Sequence, residues 1–334
     1  MAGVRGRAVR MASVVERSAT MAGQDRQEKR PAGLPFGLGE DQGRPMDEWV
    51  SPESKRAGND EMPELPEVEV IRRALVPRVV GRTIVEARIV EPRLTRRRGT
   101  PKEVAAAVVG RRVRALRRRG KFFLFDLGEN SLVVRLGMTG QLLWWEAKDR
   151  FRPDGHTHAH LGLSRGGILS YRDVRKFGEI FVLPTRAVDS TLGVGVEPLD
   201  SAFTAAALGG MCRGCRVRIK TLLLDQRKIA GIGNIYADEA LFRAGVRPTR
   251  RASSLQPEEI RALRRGIRAV LEAGIRHRGS SISDFRDPCG EPGHFAPLHR
   301  VYHRHGKPCV VCKTPIRRII LGQRGTHFCP ACQR

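Results

Sequence analysis

Two cysteine pairs near the C-terminus, Cys309-x-x-Cys312 and Cys329-x-x-Cys332, are separated by sixteen residues. Two such knuckles let four thiolates close a tetrahedron around one structural Zn2+, with no coordination position left open for chemistry. Metal binding of this kind folds a segment too small to build its own core. Between the knuckles, residues 316–328 read as a β-hairpin with Gln323-Arg324-Gly325 at its tip. Cys212-x-x-Cys215 has no second pair nearby and Cys289 stands alone, so the reading favoured over a second metal site or a redox pair is incidental cysteines beside a basic stretch.

Two further segments carry chemical potential. Gly231-Ile232-Gly233-Asn234 opens a helical pattern. Glycines admit close backbone approach and a helix N-terminus offers free N–H groups, which together suit a DNA phosphate. Met62-Pro63-Glu64-Leu65-Pro66-Glu67 alternates prolines and carboxylates just before a helix. From the residues alone this is a capped, acidic helix start, with Pro66 as first helical residue and the glutamates favouring the positive end of the dipole.

The elements that must position these groups follow from periodicity. Val68, Ile71 and Leu75 repeat at helical spacing. Short apolar strands are expected at 83–90, 121–127, 131–136, 140–145, 158–163, 167–172 and 179–183, broken by turn residues such as Gly128-Glu129-Asn130; that pattern predicts a sandwich or barrel. Beyond about residue 187 the texture turns helical. Residues 235–244 form a helix with Asn234 as N-cap and Gly245 just past its end, and a longer helix runs from Pro257 to about His277. Residues 1–61, rich in Gly, Pro, Arg and Asp without a sustained period, are expected to be disordered or absent from the mature protein.

Charge narrows the partner. Residues 1–61 hold 10 Lys and Arg against 10 Asp and Glu, so the whole of the +26 net charge falls on residues 62–334. A body that basic expects a polyanion. No apolar run approaches the roughly 20 residues that span a bilayer, no secretory signal is evident, and closely paired cysteines suit a reducing compartment. The expectation is a cytoplasmic protein, monomeric, without a membrane partner.

The blocks MPELPEVEVIRRAL, RRRGKFF, RLGMTGQL, YRDVRKFGEI and LLDQRKIAGIGNIYADEALFRAGV, followed by the cysteine ribbon, resemble in order the bacterial formamidopyrimidine-DNA glycosylase family. The resemblance runs from Met62 to Arg334. It implies an α+β multidomain fold: an N-terminal β-sandwich with a flanking helix (62–187), a helical helix–two-turns–helix DNA-binding domain (188–296) and a C-terminal zinc-ribbon finger (297–334). It implies a base-excision-repair glycosylase acting on double-stranded DNA with oxidised bases. Such an enzyme removes oxidised purines such as 8-oxoguanine and formamidopyrimidines, and cuts the strand by β,δ-elimination without a catalytic metal.

Residue by residue, the resemblance makes Pro63 the N-terminal nucleophile, Glu64 the acid/base and Glu67 a supporting carboxylate. Lys121 becomes the proton donor in β-elimination, and Arg324 the residue for δ-elimination and phosphate contact. Met138, Arg175 and Phe177 become the wedge that fills the duplex when a base is flipped. His156, Arg175 and Asn234 become DNA contacts, and residues 279–285 the loop over the flipped base. Three departures stand out: a basic contact of the family falls on Cys215, moving that expectation to Arg216; Lys176 replaces a common arginine; and residues 1–61 have no counterpart. Two alternatives stay open, an endonuclease VIII-type enzyme for oxidised pyrimidines and a non-catalytic damage-binding protein in which Pro63 keeps its preceding residues.

Overall fold

The computed structural model describes residues 62–282 and 285–334. The expectation for residues 1–61 lies outside these, as do Ser283 and Asp284 of the anticipated base-covering loop.

Helix α1 (Leu65–Val79) begins one residue before the expected Pro66. The earlier start is possible because the Leu65 N–H donates to the carbonyl of Gly231, 3.0 Å away, and Glu64 serves as cap. The helix belongs to two cores at once. Leu65 enters the core of the helical domain, whereas Val68, Ile71, Leu75 and Val79 enter the sandwich core. The first turn of α1 therefore sits at the junction, where a cleft between domains can form.

The sandwich is made of β1 (Ile84–Ile89), α2 (Pro101–Val108), β2 (Ala115–Arg119), β3 (Phe122–Asp126), β4 (Asn130–Arg135), β5 (Gly140–Trp145), β6 (Thr157–Leu163), β7 (Ile168–Asp173) and β8 (Glu179–Pro184). One antiparallel sheet has the order β1-β6-β7-β5 and the other β2-β3-β4-β8. Alternation decides which side chain faces which layer. Phe123 and Phe125 face the inter-sheet core, while Phe122 and Leu124 face an outer cluster with Phe181, Val188 and Leu192. Burial on both faces explains the unbroken apolar run of β3. Strand β2 and helix α2 were not anticipated: the arginines of β2 mask its period, and α2 is short.

Helix α3 (Val188–Leu192) packs on the outer face of the sandwich, and the helical domain contains α4 (Ala205–Cys212), α5 (Ile219–Leu224), α6 (Asn234–Ala244) and α7 (Pro257–Arg276). Gly245 ends α6 at φ +72°, as its position predicted. The cap of α6, however, is Gly233, and Asn234 is the first helical residue. The finger hairpin pairs β9 (Arg317–Leu321) with β10 (Arg324–Phe328). Its two-residue turn is Gly322-Gln323, at φ +54° and +60°; paired positive φ values are what a two-residue hairpin connection needs. The expected tip is thereby corrected: Arg324 opens the return strand, opposite Leu321. Phe242 of α6 packs with Val301 and Ile316 around Cys309 and Cys329, which seats the finger on the helical domain.

Candidate active site and DNA interface

The residues at the start of α1 are tied to the start of α6. The Glu64 carboxylate accepts hydrogen bonds from the backbone N–H of Gly233 at 2.7 Å, Ile235 at 2.8 Å and Tyr236 at 3.3 Å. A helix N-terminus has unsatisfied N–H groups and a positive dipole end, so it holds a carboxylate well. Within the expected phosphate cradle, 231–234, the Gly233 N–H is thus engaged by a carboxylate of the same chain, and the Gly231 N–H by the Gln226 side chain at 2.8 Å. Gly233 is required for the carboxylate contact, because a Cβ there would overlap the Glu64 carboxyl group.

Glu67 completes the arrangement. One of its oxygens accepts from the Glu64 N–H at 2.9 Å, and the other accepts from the Tyr236 hydroxyl at 2.8 Å and the Ser280 N–H at 2.7 Å. Glu64 is 3 % exposed and its carboxyl is pushed up to about 7. Burial is the main cause; Lys121 pulls the value back down and Glu67 adds to the rise. Burial also raises Glu67.

Lys121 sits in the two-residue turn between β2 and β3, after Gly120 at φ +55°. It is buried, and burial lowers its ammonium pKa, with Glu64 opposing and Arg324 reinforcing the shift. A solvated cation in an arginine run would feel none of this. The turn is fixed by carboxylates that the sequence reading missed. Glu197 accepts from the Gly120 N–H at 2.6 Å, Arg118 at 2.7 Å and Arg119 at 3.1 Å, and Glu69 accepts from Arg118 at 3.3 Å.

The finger reaches the same place. Lys220 of α5, 1 % exposed along its side chain, pairs with Asp238 of α6 at 2.7 Å. The same ammonium donates to the Gly325 carbonyl at 3.0 Å and to Thr326 Oγ1 at 2.9 Å. Asn234 Nδ2 donates to the Gly325 carbonyl at 3.0 Å and to the Tyr302 hydroxyl at 3.2 Å. These bonds hold β10 against α5 and α6, with Arg324 exposed at its start and close enough to Lys121 for its charge to act there.

The three expected wedge residues lie on two adjoining loops. Met138 is in the β4–β5 turn, and Arg175, Lys176 and Phe177 link β7 to β8. Met138 and Phe177 are half-buried rather than core residues, and the Arg175 guanidinium lies 5.0 Å from the centre of the Phe177 ring. A Cβ at Gly137 would come within 2.5 Å of the Phe177 backbone, so the loops touch. Asp173, fully buried, locks them: it accepts from Thr139 Oγ1 at 2.6 Å, the Arg175 N–H at 3.2 Å, the Gly178 N–H at 2.9 Å and the Tyr171 hydroxyl at 3.0 Å. Lys176 pairs with Glu91 at 2.6 Å. His156 is exposed beside this edge, its carbonyl accepting from the Asp173 N–H at 2.9 Å.

A pocket opens between the domains. Pro63, Glu67, Met138, Ile235, Ser280 and Phe285 contribute to its wall. Thus the pocket brings together Pro63, one wedge residue and part of the 279–285 loop. Arg216 is exposed on the helical domain and is not among the described residues that line this pocket. Cys212 is buried in the helical core, where burial pushes its thiol up to about 11, and Cys215 packs against that core. Among the described residues, only Cys309, Cys312, Cys329 and Cys332 gather as metal ligands, with all four sulfurs within 4.8 Å of one another. The Cys309–Cys332 and Cys312–Cys329 sulfurs are 3.9 and 3.4 Å apart. Four sulfurs at ~2.3 Å from a zinc ion in a tetrahedron lie ~3.8 Å apart, so the donors fit one structural zinc.

Comparison with known proteins agrees with this arrangement. Residues 62–180 match the family model described as formamidopyrimidine-DNA glycosylase N-terminal domain, 194–286 the formamidopyrimidine-DNA glycosylase H2TH domain, and 306–334 the zinc finger found in FPG and IleRS. The formamidopyrimidine-DNA glycosylases of Methylococcus capsulatus and Geobacillus kaustophilus are each 42% identical, over 275 and 276 residues; both alignments cover 82% of this chain and 100% of the relative. Among solved structures, a Lactococcus lactis Fpg variant in complex with Fapy-dG-containing DNA matches with a TM-score of 0.76 at 32% identity, covering 81% of this chain and 100% of that one. The MutM (Fpg) protein of Thermus thermophilus matches with a TM-score of 0.72 at 43% identity, covering 81% and 98%.

Proposed function

The chain belongs to the formamidopyrimidine-DNA glycosylase family, and on that premise we propose that it is a bifunctional DNA glycosylase and abasic-site lyase of base-excision repair, acting on oxidised purines in duplex DNA. The observation that carries the reading is the convergence at one cleft of Pro63, the buried pair Glu64 and Glu67, and Lys121 with its lowered pKa. In this reading residues 62–187 are the catalytic unit, 188–296 bind DNA and 297–334 are the finger. The protein works as a monomer in the cytoplasm. Among the described residues no helix is long and apolar enough to cross a membrane.

The chemistry requires Pro63 to be the N-terminal residue. Its nitrogen is then a secondary amine; an unperturbed α-amino group titrates at roughly 7.7–8.0, so part of it is neutral at physiological pH. The neutral nitrogen attacks C1′ of the damaged nucleotide. The glycosidic bond breaks and its electron pair leaves with the base, which takes up the proton given up by the proline nitrogen; the C1′–O4′ bond then breaks as Glu64 protonates O4′ and the sugar ring opens. The product is an iminium ion, which splits one difficult displacement into easier steps. The Glu64 carboxylate left by ring opening then takes a C2′ proton, and the 3′ phosphate oxygen is expelled. Lys121 serves this elimination as proton donor. A second elimination expels the 5′ phosphate, with Arg324 on the leaving group, and water finally releases the sugar fragment from the proline. Inside a longer chain the Pro63 nitrogen is a tertiary amide and cannot begin this sequence.

Met138, Arg175 and Phe177 occupy the gap left by the extruded base, held at a fixed height by Asp173. Residues 279–285 cover that base. His156, Arg175, Asn234 and the exposed Arg216 face the backbone. Cleavage of duplexes carrying 8-oxoguanine opposite cytosine, against thymine glycol opposite adenine, tests the substrate class. The oxidised purine is expected to be cut faster; dominant thymine glycol activity would assign the endonuclease VIII-type reading instead.

A further inference from the structure

Beside the pocket wall at Ser280 lies a buried hydrogen-bonded pair that none of the assigned roles uses. Ser280 Oγ and His299 Nε2 are 3.0 Å apart, and each residue is 5 % exposed. Ser280 is also the residue whose backbone N–H donates to Glu67 at 2.7 Å, and Glu67 in turn accepts from the Glu64 N–H at 2.9 Å. A continuous chain of hydrogen bonds therefore runs from the His299 ring through Ser280 and Glu67 to the backbone of Glu64.

The imidazole itself is held rigidly. Its ring packs edge-on against Phe295 at 5.3 Å and Tyr302 at 5.7 Å, and Phe295 stacks on Tyr236, whose hydroxyl is the third donor to Glu67. Phe295 N–H donates to the Gly279 carbonyl at 2.9 Å, and residues 280 and 294 form an antiparallel bridge, so the segment carrying His299 is laced to the base of the loop. His299 also hydrogen-bonds to the Tyr302 backbone. A neutral ring that donates there presents its other nitrogen as an acceptor, and the Ser280 hydroxyl supplies the proton. A rotating serine hydroxyl would otherwise be free to bond its own loop or an incoming base edge. A buried hydroxyl bonded to a fixed ring does neither.

We propose that His299 is a positioning residue for base removal: through the Ser280 hydroxyl it fixes the first turn of the base-covering loop and, with it, the Glu67 carboxylate over the lesion. The proposal rests on the glycosylase reading above. It makes a distinction that a general structural role would not. A loop that must be fixed over a damaged base matters when a base is present and has nothing to hold at a site already lacking one.

The test uses the protein in its active native form, with two substrates under single-turnover conditions: a duplex containing 8-oxoguanine opposite cytosine, and the same duplex with a preformed abasic site. His299→Leu and Ser280→Ala should each slow base removal about tenfold, the loss of one buried hydrogen bond, and His299→Leu, which lies outside the pocket wall, should leave strand cleavage at the abasic site unchanged. The double variant should be no slower than either single one, and His299→Gln, which can restore an acceptor at the Nε2 position, should recover most of the rate. If His299→Leu excises at the wild-type rate, or slows both substrates equally, or if the effects of the two single variants multiply in the double, the positioning role is wrong. Absence of 8-oxoguanine excision by the wild-type protein is a different result, and overturns the glycosylase reading instead.

Discussion

At the scale of single residues the decisive group is Glu64. A carboxyl pushed up to about 7 is protonated in appreciable fraction at neutral pH, where an ordinary glutamate is not. As the acid that protonates the opening sugar it loses competence as pH rises through about 7, while Pro63 gains neutral amine over the same range. Single-turnover base removal should therefore give a bell-shaped profile whose descending limb is set by Glu64. In Glu64→Gln that limb should vanish and the rate fall by about 100-fold or more; a Glu64→Gln profile that keeps it would assign the acid elsewhere. Arg324→Ala should leave base removal nearly intact and shift products from β,δ- toward β-elimination, read on a denaturing gel. Little of this chemistry was legible from spacing. Pro63 through Glu67 look like an acidic helix start, and only the resemblance lifted them above it. The partners that position the site, Asp173 at the wedge loops, Glu197 at the Lys121 turn, Lys220 at the finger strand, and Tyr236 and Ser280 at Glu67, lie far away along the chain. The signal that could have exposed some of them was an acid inside an apolar or basic run of a strongly cationic protein, as at Asp173 and Glu197.

At the scale of elements, the junction of α1 with α6 does the positioning. Gly233→Ala should displace the Glu64 carboxylate from the α6 N-terminus. Base removal should fall at least tenfold while Tm drops by only a few degrees, as a single strained site implies; wild-type activity would show that the three N–H bonds to Glu64 are dispensable. Elements with strong periods were readable: seven sandwich strands, α6 and α7 fall close to the expected spans. Those missed had signals of another kind. Helix α2 begins with Thr100-Pro101-x-Glu103, a capping box in which the Thr100 N–H donates to Glu103 at 2.7 Å and the Glu103 N–H to Thr100 at 3.3 Å. Strand β2 hides its alternation behind consecutive arginines, because the charged heads of Arg118 and Arg119 pair with Glu69 and Glu197 instead of facing water. Asn234 looked like a cap because its residue type prefers that position. In the fold the capping role passes to a carboxylate about 170 residues earlier in the chain, a substitution that no local pattern reveals.

At the scale of the molecule, charge and zinc were the most legible features. A +26 chain whose excess falls entirely on residues 62–334 should bind duplex DNA with a steep salt dependence, each neutralised phosphate contributing a slope of about −0.9 in log K against log salt. The finger joins this surface through the zinc cluster and through Lys220, Asp238 and Asn234. Stripping the metal with a chelator should release β10, weaken DNA binding and abolish cleavage, with recovery on adding zinc; full activity in metal-free protein would detach the finger from the reaction. How the three parts meet could not be read in advance, since the contacts that join them are individual hydrogen bonds between residues far apart in sequence.

The central claim is that the Pro63 nitrogen forms the covalent link to DNA. Borohydride reduction of the native protein on 8-oxoguanine-containing duplex, followed by proteolysis and mass mapping of the adduct, tests it directly. The mechanism predicts one sugar-bearing peptide that begins at Pro63 and carries the adduct on that residue. An adduct on Lys121 or another lysine, or excision without any trapped adduct, would contradict it.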